Sequence, residues 1–103
     1  MAKPGTDKAA IRAIIREAKK NGLSVRKVAN GDEDIAVSTE TEAIEEIMSV
    51  DEALLYFKNA EGGNNGYIFF VLGNDPEEVA CDYTVNLEPW LGPLTESWWD
   101  ADE

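Results

Sequence analysis

Apolar residues recur along this chain in two rhythms. Ile11, Ile14, Ile15 and Ala18 fall at i, i+3, i+4 and i+7, one stripe of an amphipathic helix. Thr6 stands where a helix cap belongs, and Asp7 places a negative charge in the first turn. Asn21-Gly22 ends the helix behind Lys19 and Lys20. A shorter stripe, Ala43, Ile44, Ile47 and Met48, follows Thr39-Glu40-Thr41-Glu42, which has the spacing of a capping box. Between the two helices, Leu23–Ala29, with Leu23, Val25 and Val28 apolar, and Ile35–Val37 read as strands either side of Asn30-Gly31, a hairpin signal.

The second half is denser. Leu54-Leu55-Tyr56-Phe57 and Tyr67-Ile68-Phe69-Phe70-Val71-Leu72 flank the breaker Asn59–Gly66 and read as strand, loop and strand. Ser49-Val50-Asp51-Glu52 fits either a turn or a second capping box. Asp75-Pro76-Glu77-Glu78 carries a cap, a first-turn proline and two dipole-complementing acids, so a third helix is expected from there to about Thr84–Asn86. Two prolines and a glycine make Leu87–Leu94 turns or one short helical piece. The expected fold is α+β, with the order helix–hairpin–helix–hairpin–helix. It has a four-stranded antiparallel sheet with helices packed on one face, and Tyr56, Phe57, Phe69, Phe70, Tyr83 and Trp90 form its core. Residues 1–94 make one domain, and 95–103 an acidic, aromatic tail.

Charge changes the picture. The chain of 103 residues has 9 Lys+Arg, 21 Asp+Glu and no His, for a formal charge of -12. Residues 1–30 hold eight of the nine cations and two acids, a balance of +6. Residues 31–103 hold Lys58 and 19 acids, a balance of -18. Such a balance repels phosphates and attracts basic surfaces, which argues against direct nucleic-acid binding even though Lys8, Arg12, Arg16 and Lys19 gather on one side of the first helix. The longest apolar run is far shorter than the roughly 20 residues of a membrane span. With no apolar leader either, the expected location is cytoplasmic.

Catalytic chemistry is hard to place. No His excludes His-based triads, and one Cys excludes an internal disulfide. Asp32-x-Asp34 opens like a calcium loop, but Val37 and Ala43 stand where the glycine and closing acid belong. Gly62–Gly66 lacks the lysine of a phosphate loop. Cys81 has no basic partner type near it in sequence and reads as a small hydrophobe. The chain therefore reads as non-enzymatic, with no metal and no cofactor.

Gly73-Asn74-Asp75-Pro76-Glu77-Glu78-Val79-Ala80-Cys81-Asp82-Tyr83-Thr84, with Asn86-Leu87-Glu88, resembles a run in small acidic proteins of phages and prophages. The resemblance implies a phage origin and action inside a bacterial host cell, and carries over no functional residue. Together with the charge it leads to an accessory protein that binds and inhibits a host protein with a basic surface, such as an anti-CRISPR or anti-restriction protein acting as an acidic DNA mimic. The contact acids expected are Asp32, Glu33 and Asp34 in the first hairpin, Glu40, Glu42, Glu45 and Glu46 around the second helix, and Glu77 and Glu78 at the third. An alternative gives the work to the tail, with Trp98 and Trp99 as anchors among acids. Others are a phage structural or assembly role, and self-association of the +6 segment of one copy with the -18 segment of another.

Overall fold

A computed structural model describes residues 3–100, and the side chains of residues 3–98. The first helix, α1, runs Asp7–Lys20. Thr6 Oγ1 accepts the Ala9 N–H at 3.1 Å, and Ala10, Ile11, Ile14, Ile15 and Ala18 are buried. The hairpin strands are β1 (Ser24–Ala29) and β2 (Asp34–Ala36). In its turn Asn30 Oδ1 accepts the N–H groups of Asp32 and Glu33 at 3.1 and 3.0 Å, which orders an acidic loop. The second helix, α2, spans Glu40–Met48 behind Thr39, whose Oγ1 accepts the Glu42 N–H at 3.1 Å. Residues 49–51 are a turn, not a restarted helix. The long hairpin follows as β3 (Glu52–Lys58) and β4 (Asn64–Val71).

The four-stranded sheet and the helix–hairpin–helix–hairpin–helix order are overturned beyond this point. The cap at Asp75 starts only a single 3-10 turn, Pro76–Glu78, and the chain then becomes a fifth strand, β5 (Ala80–Tyr83). The sheet is five-stranded and antiparallel throughout, in the order β2-β1-β3-β4-β5. Two forces outweigh the helix cap. The apolar face expected of such a helix, Val79, Ala80 and Tyr83, is short and ends in the polar Thr84 and Asn86. A bare edge on the apolar β4 would also leave its backbone groups open to strangers, and β5 covers it.

A 3-10 turn, Val85–Leu87, then leads into the third helix, α3 (Glu88–Asp100). The expectation for this stretch is turns or one short helical piece over Leu87–Leu94 and then a tail, because Pro89, Gly92 and Pro93 break helices. Pro89 lies in the first turn, where its missing N–H costs nothing. Pro93 forfeits a helical bond, but Leu87, Leu91, Leu94 and Trp98 fall at helical spacing and are all buried, which outweighs it. The boundary drawn at residue 94 thus lies inside a helix that completes the core.

One face of the sheet, carrying Val25, Val28, Ala53, Leu55, Phe57, Ile68 and Phe70, is buried in a single cluster with the inner faces of all three helices. Phe57 meets Trp90 edge to face at 6.4 Å. Leu54, Tyr56, Tyr67 and Phe69 alternate with those residues, so they project from the opposite face and are only half-buried. Tyr56 and Phe69 therefore leave the expected core, and Tyr83 and Trp90 are partly buried against it.

Candidate functional site: an acid-edged open sheet face

The open face is organised by register. Asp34 pairs with Ala29, Ala29 with Leu54, Leu54 with Phe69, and Phe69 with Asp82. One row therefore crosses all five strands with an apolar middle and a carboxylate at each end. Four interstrand steps of about 4.8 Å make it about 19 Å long. The neighbouring row is Ala36, Lys27, Tyr56 and Tyr67. Tyr56 and Tyr67 lie with ring centroids 5.6 Å apart. Lys27 Nζ sits 4.7 Å over the Tyr56 ring and 3.0 Å from Asp34 Oδ2.

At the Asp34 end the floor opens into a cleft of about 610 Å3, walled by Asp32, Glu33, Asp34, Asp51 and Glu52 and floored by Ala29, Leu54 and Phe69. The turn that carries Asp51 is fixed to the end of β4, whose Leu72 N–H donates to the Asp51 carbonyl at 2.9 Å. A shallower hollow beyond it is lined by Leu54, Tyr67, Phe69 and Asp82. Leu54 and Phe69 belong to both, so cleft and hollow are one continuous surface. Of its acids only Asp34 has an ion-pair partner among the described residues.

The acids singled out in sequence do not form one display. Asp32, Glu33 and Asp34 stand together at the cleft. Glu40 is instead drawn to α1, where its Oε1 lies 3.1 Å from Arg16 Nε and 3.6 Å from Arg12 Nε. The basic stripe of the first helix therefore spends two of its guanidinium groups on the chain's own carboxylate. Glu42 closes the cap of α2, accepting from Ser38 N–H at 3.2 Å, Ser38 Oγ at 2.9 Å and Thr39 Oγ1 at 3.3 Å. Those bonds, the Ser38 hydroxyl first and the Ser38 N–H second, hold its carboxyl below the usual range, with desolvation opposing them. Glu77 is only 8% exposed and lies 3.6 Å from Lys3 Nζ. Glu45 and Glu78 are exposed and Glu46 is half-buried, and none of the three adjoins the cleft.

Trp98 is 1% exposed, in the chain's own core, so its ring is not offered to a partner. The side chain of Trp99 lies outside the described residues, as do Asp102 and Glu103. Asp51, Glu52 and Asp82 were missed in sequence. Their signal was present: β3 and β4 are apolar in both phases, in a chain with too few helices to cover two faces.

Tyr83 illustrates the reach of α3. Its hydroxyl donates to Glu88 Oε2, and that bond, helped by partial burial, pushes the phenol up to about 12. Among the described residues no three acidic or sulfur side chains converge as metal ligands, and no buried side-chain nitrogen or oxygen lacks a partner. Cys81 is exposed on the edge strand β5, not buried as its type suggested. No helix is long and apolar enough to cross a membrane. Comparison with known proteins finds no family model, curated protein or solved structure that matches this chain.

Proposed function

We propose that this chain is a non-enzymatic phage accessory protein that binds a host protein with a basic surface and blocks it, as an anti-defence protein does when it occupies a groove built for nucleic acid. The observation that carries the reading is a set of acids, Asp32, Glu33, Asp51, Glu52 and Asp82, that have no ion-pair partner among the described residues and lie along the open face of the sheet and the turns at its edge. Carboxylates held apart on a folded surface accept charge-assisted hydrogen bonds from Arg and Lys, and their field speeds encounter with a basic groove. The run Gly73–Thr84 supports a phage setting. Action inside a bacterial host cell, in the cytoplasm, belongs to this same reading, as does the absence of any cofactor.

Docking through the tail is not favoured, because Trp98 is occupied in the core. Self-association is not favoured either, because Arg12 and Arg16 are engaged with Glu40 and Lys20 with Glu17. The test is capture of partners from bacterial host lysate with the tagged full chain, followed by a displacement assay on the recovered protein. The reading expects a nucleic-acid-binding protein that loses its nucleic acid as the chain is added. Recovery of virion components instead, or a partner that keeps its nucleic acid, overturns it.

A further inference from the structure

The open face holds one ring–carboxylate pair that the chain fills itself. Lys27 lies over Tyr56 and against Asp34, so a cation is bound there by a ring face and a carboxylate together. The same pairing recurs two strands away. Phe69 stands cross-strand from Asp82, beside Tyr67, and Asp82 has no cation partner among the described residues. Between the two pairs lie Ala29 and Leu54, apolar and within the same row. At the Asp34 end the further acids Asp32, Asp51 and Glu52 exceed what the single ammonium of Lys27 can balance.

From this we infer that the sheet's open face binds a segment of the partner with an arginine at each end of a short apolar stretch. One guanidinium meets the cleft acids at the Asp34 end and the other meets Asp82 against Phe69. Arginine suits both ends better than lysine, because its planar fork donates to a carboxylate while its flat face stacks on a ring. An extended segment covers the row in about six residue steps of 3.3 Å, with alternate side chains facing the sheet. The spacing is therefore Arg-x-apolar-x-apolar-x-Arg. The inference rests on the reading that the chain acts by binding a basic partner, and it names the surface and the chemistry of what that surface takes. A nucleic-acid strand is disfavoured on this face despite its aromatic residues, because the acids at both ends repel phosphates.

The test titrates the isotopically labelled full chain with the blocked peptide Arg-Gly-Leu-Gly-Leu-Gly-Arg, and with its counterpart carrying neutral citrulline at both ends, and follows backbone amide signals by NMR. The expected result is movement at Ala29, Leu54, Phe69 and Asp82, with the citrulline peptide roughly tenfold weaker or worse. Asp82→Asn and Glu52→Gln, both at exposed positions, each weaken the arginine peptide, and the same spectra show that the variants remain folded. Equal affinity for the two peptides overturns the inference. So do signals that move only around Glu45, Glu46 and Glu78, or none that move at millimolar peptide. If the lysate partner still surrenders its nucleic acid to the chain in those cases, only this surface is refuted. If it does not, the proposed function falls as well.

Discussion

Trp98→Ala tests whether the last helix belongs to the fold or to a partner. The indole is 1% exposed, so nearly its whole surface leaves water on folding. A tryptophan buries about 150–250 Å2. At about 25 cal/mol per Å2 that burial is worth about 4–6 kcal/mol. Truncating a buried aromatic to Ala costs about 3–5 kcal/mol, because the cavity partly relaxes. About 4 kcal/mol is a large part of the roughly 5–15 kcal/mol that holds a domain of this size together. The melting temperature should fall by about 15–30 °C, at the roughly 4–8 °C per kcal/mol of small domains. The urea midpoint should fall by about 2 M, for a slope near 2 kcal/mol/M. Circular dichroism against urea reads this without relying on tryptophan emission, and deleting residues 95–103 should cost at least as much. An unmoved midpoint in both variants, with partner binding lost, would refute the burial argument and return the tail to the role of anchor.

Three further outcomes follow from named contacts. Gly66→Ala should lose about 2–4 kcal/mol in chemical denaturation, since φ is +98° and a Cβ there would run into Thr84 Oγ1 and stand 2.8 Å from Asn86 Oδ1. Tyr83 has a folded pKa of about 12, above its ordinary value of 10.0, so the folded state keeps a proton that the unfolded state releases. Stability from this group is therefore full below pH 10 and is lost as pH rises towards 12. In an ultraviolet titration the tyrosine that ionises near pH 12 should disappear in Tyr83→Phe, and should move down towards its ordinary value in Glu88→Gln. Glu40→Gln should change stability by less than about 1 kcal/mol, because the Arg12 and Arg16 side chains keep 41% and 63% of their surface in water, and it should leave affinity for the basic partner unweakened.

Much of the scaffold is legible in local chemistry. Thr6 and Thr39 cap their helices because an isolated hydroxyl before an apolar stripe has few better uses, and Asn30-Gly31 closes its hairpin for a similar reason. What fails is decided at a distance. Asp75-Pro76 is a sound helix start locally, yet the need of β4 for a neighbour on its outer edge draws residues 80–83 into the sheet. Pro93 is a helix breaker locally, yet Leu91, Leu94 and Trp98 bury together only if the helix passes through it. The candidate site divides in the same way. The hairpin acids are placed by their own turn and were visible. Sheet pairing alone brings Asp51 and Glu52 beside the hairpin acids and sets Asp82 at the far end of the same face, while Glu40 and Glu77 are removed from display by cations far away in sequence.

That the uncommitted acids of the open face do the binding can be read from how salt acts on the complex. The quantity to measure is the Kd for the captured basic partner across a range of ionic strength, for the unaltered chain and for Asp51→Asn/Glu52→Gln/Asp82→Asn. Affinity should fall steeply with added salt for the unaltered chain, and the triple variant should bind more weakly with a visibly shallower slope. A Kd indifferent to salt, or a variant whose slope and affinity match those of the unaltered chain, would mean that these carboxylates are not what the partner meets.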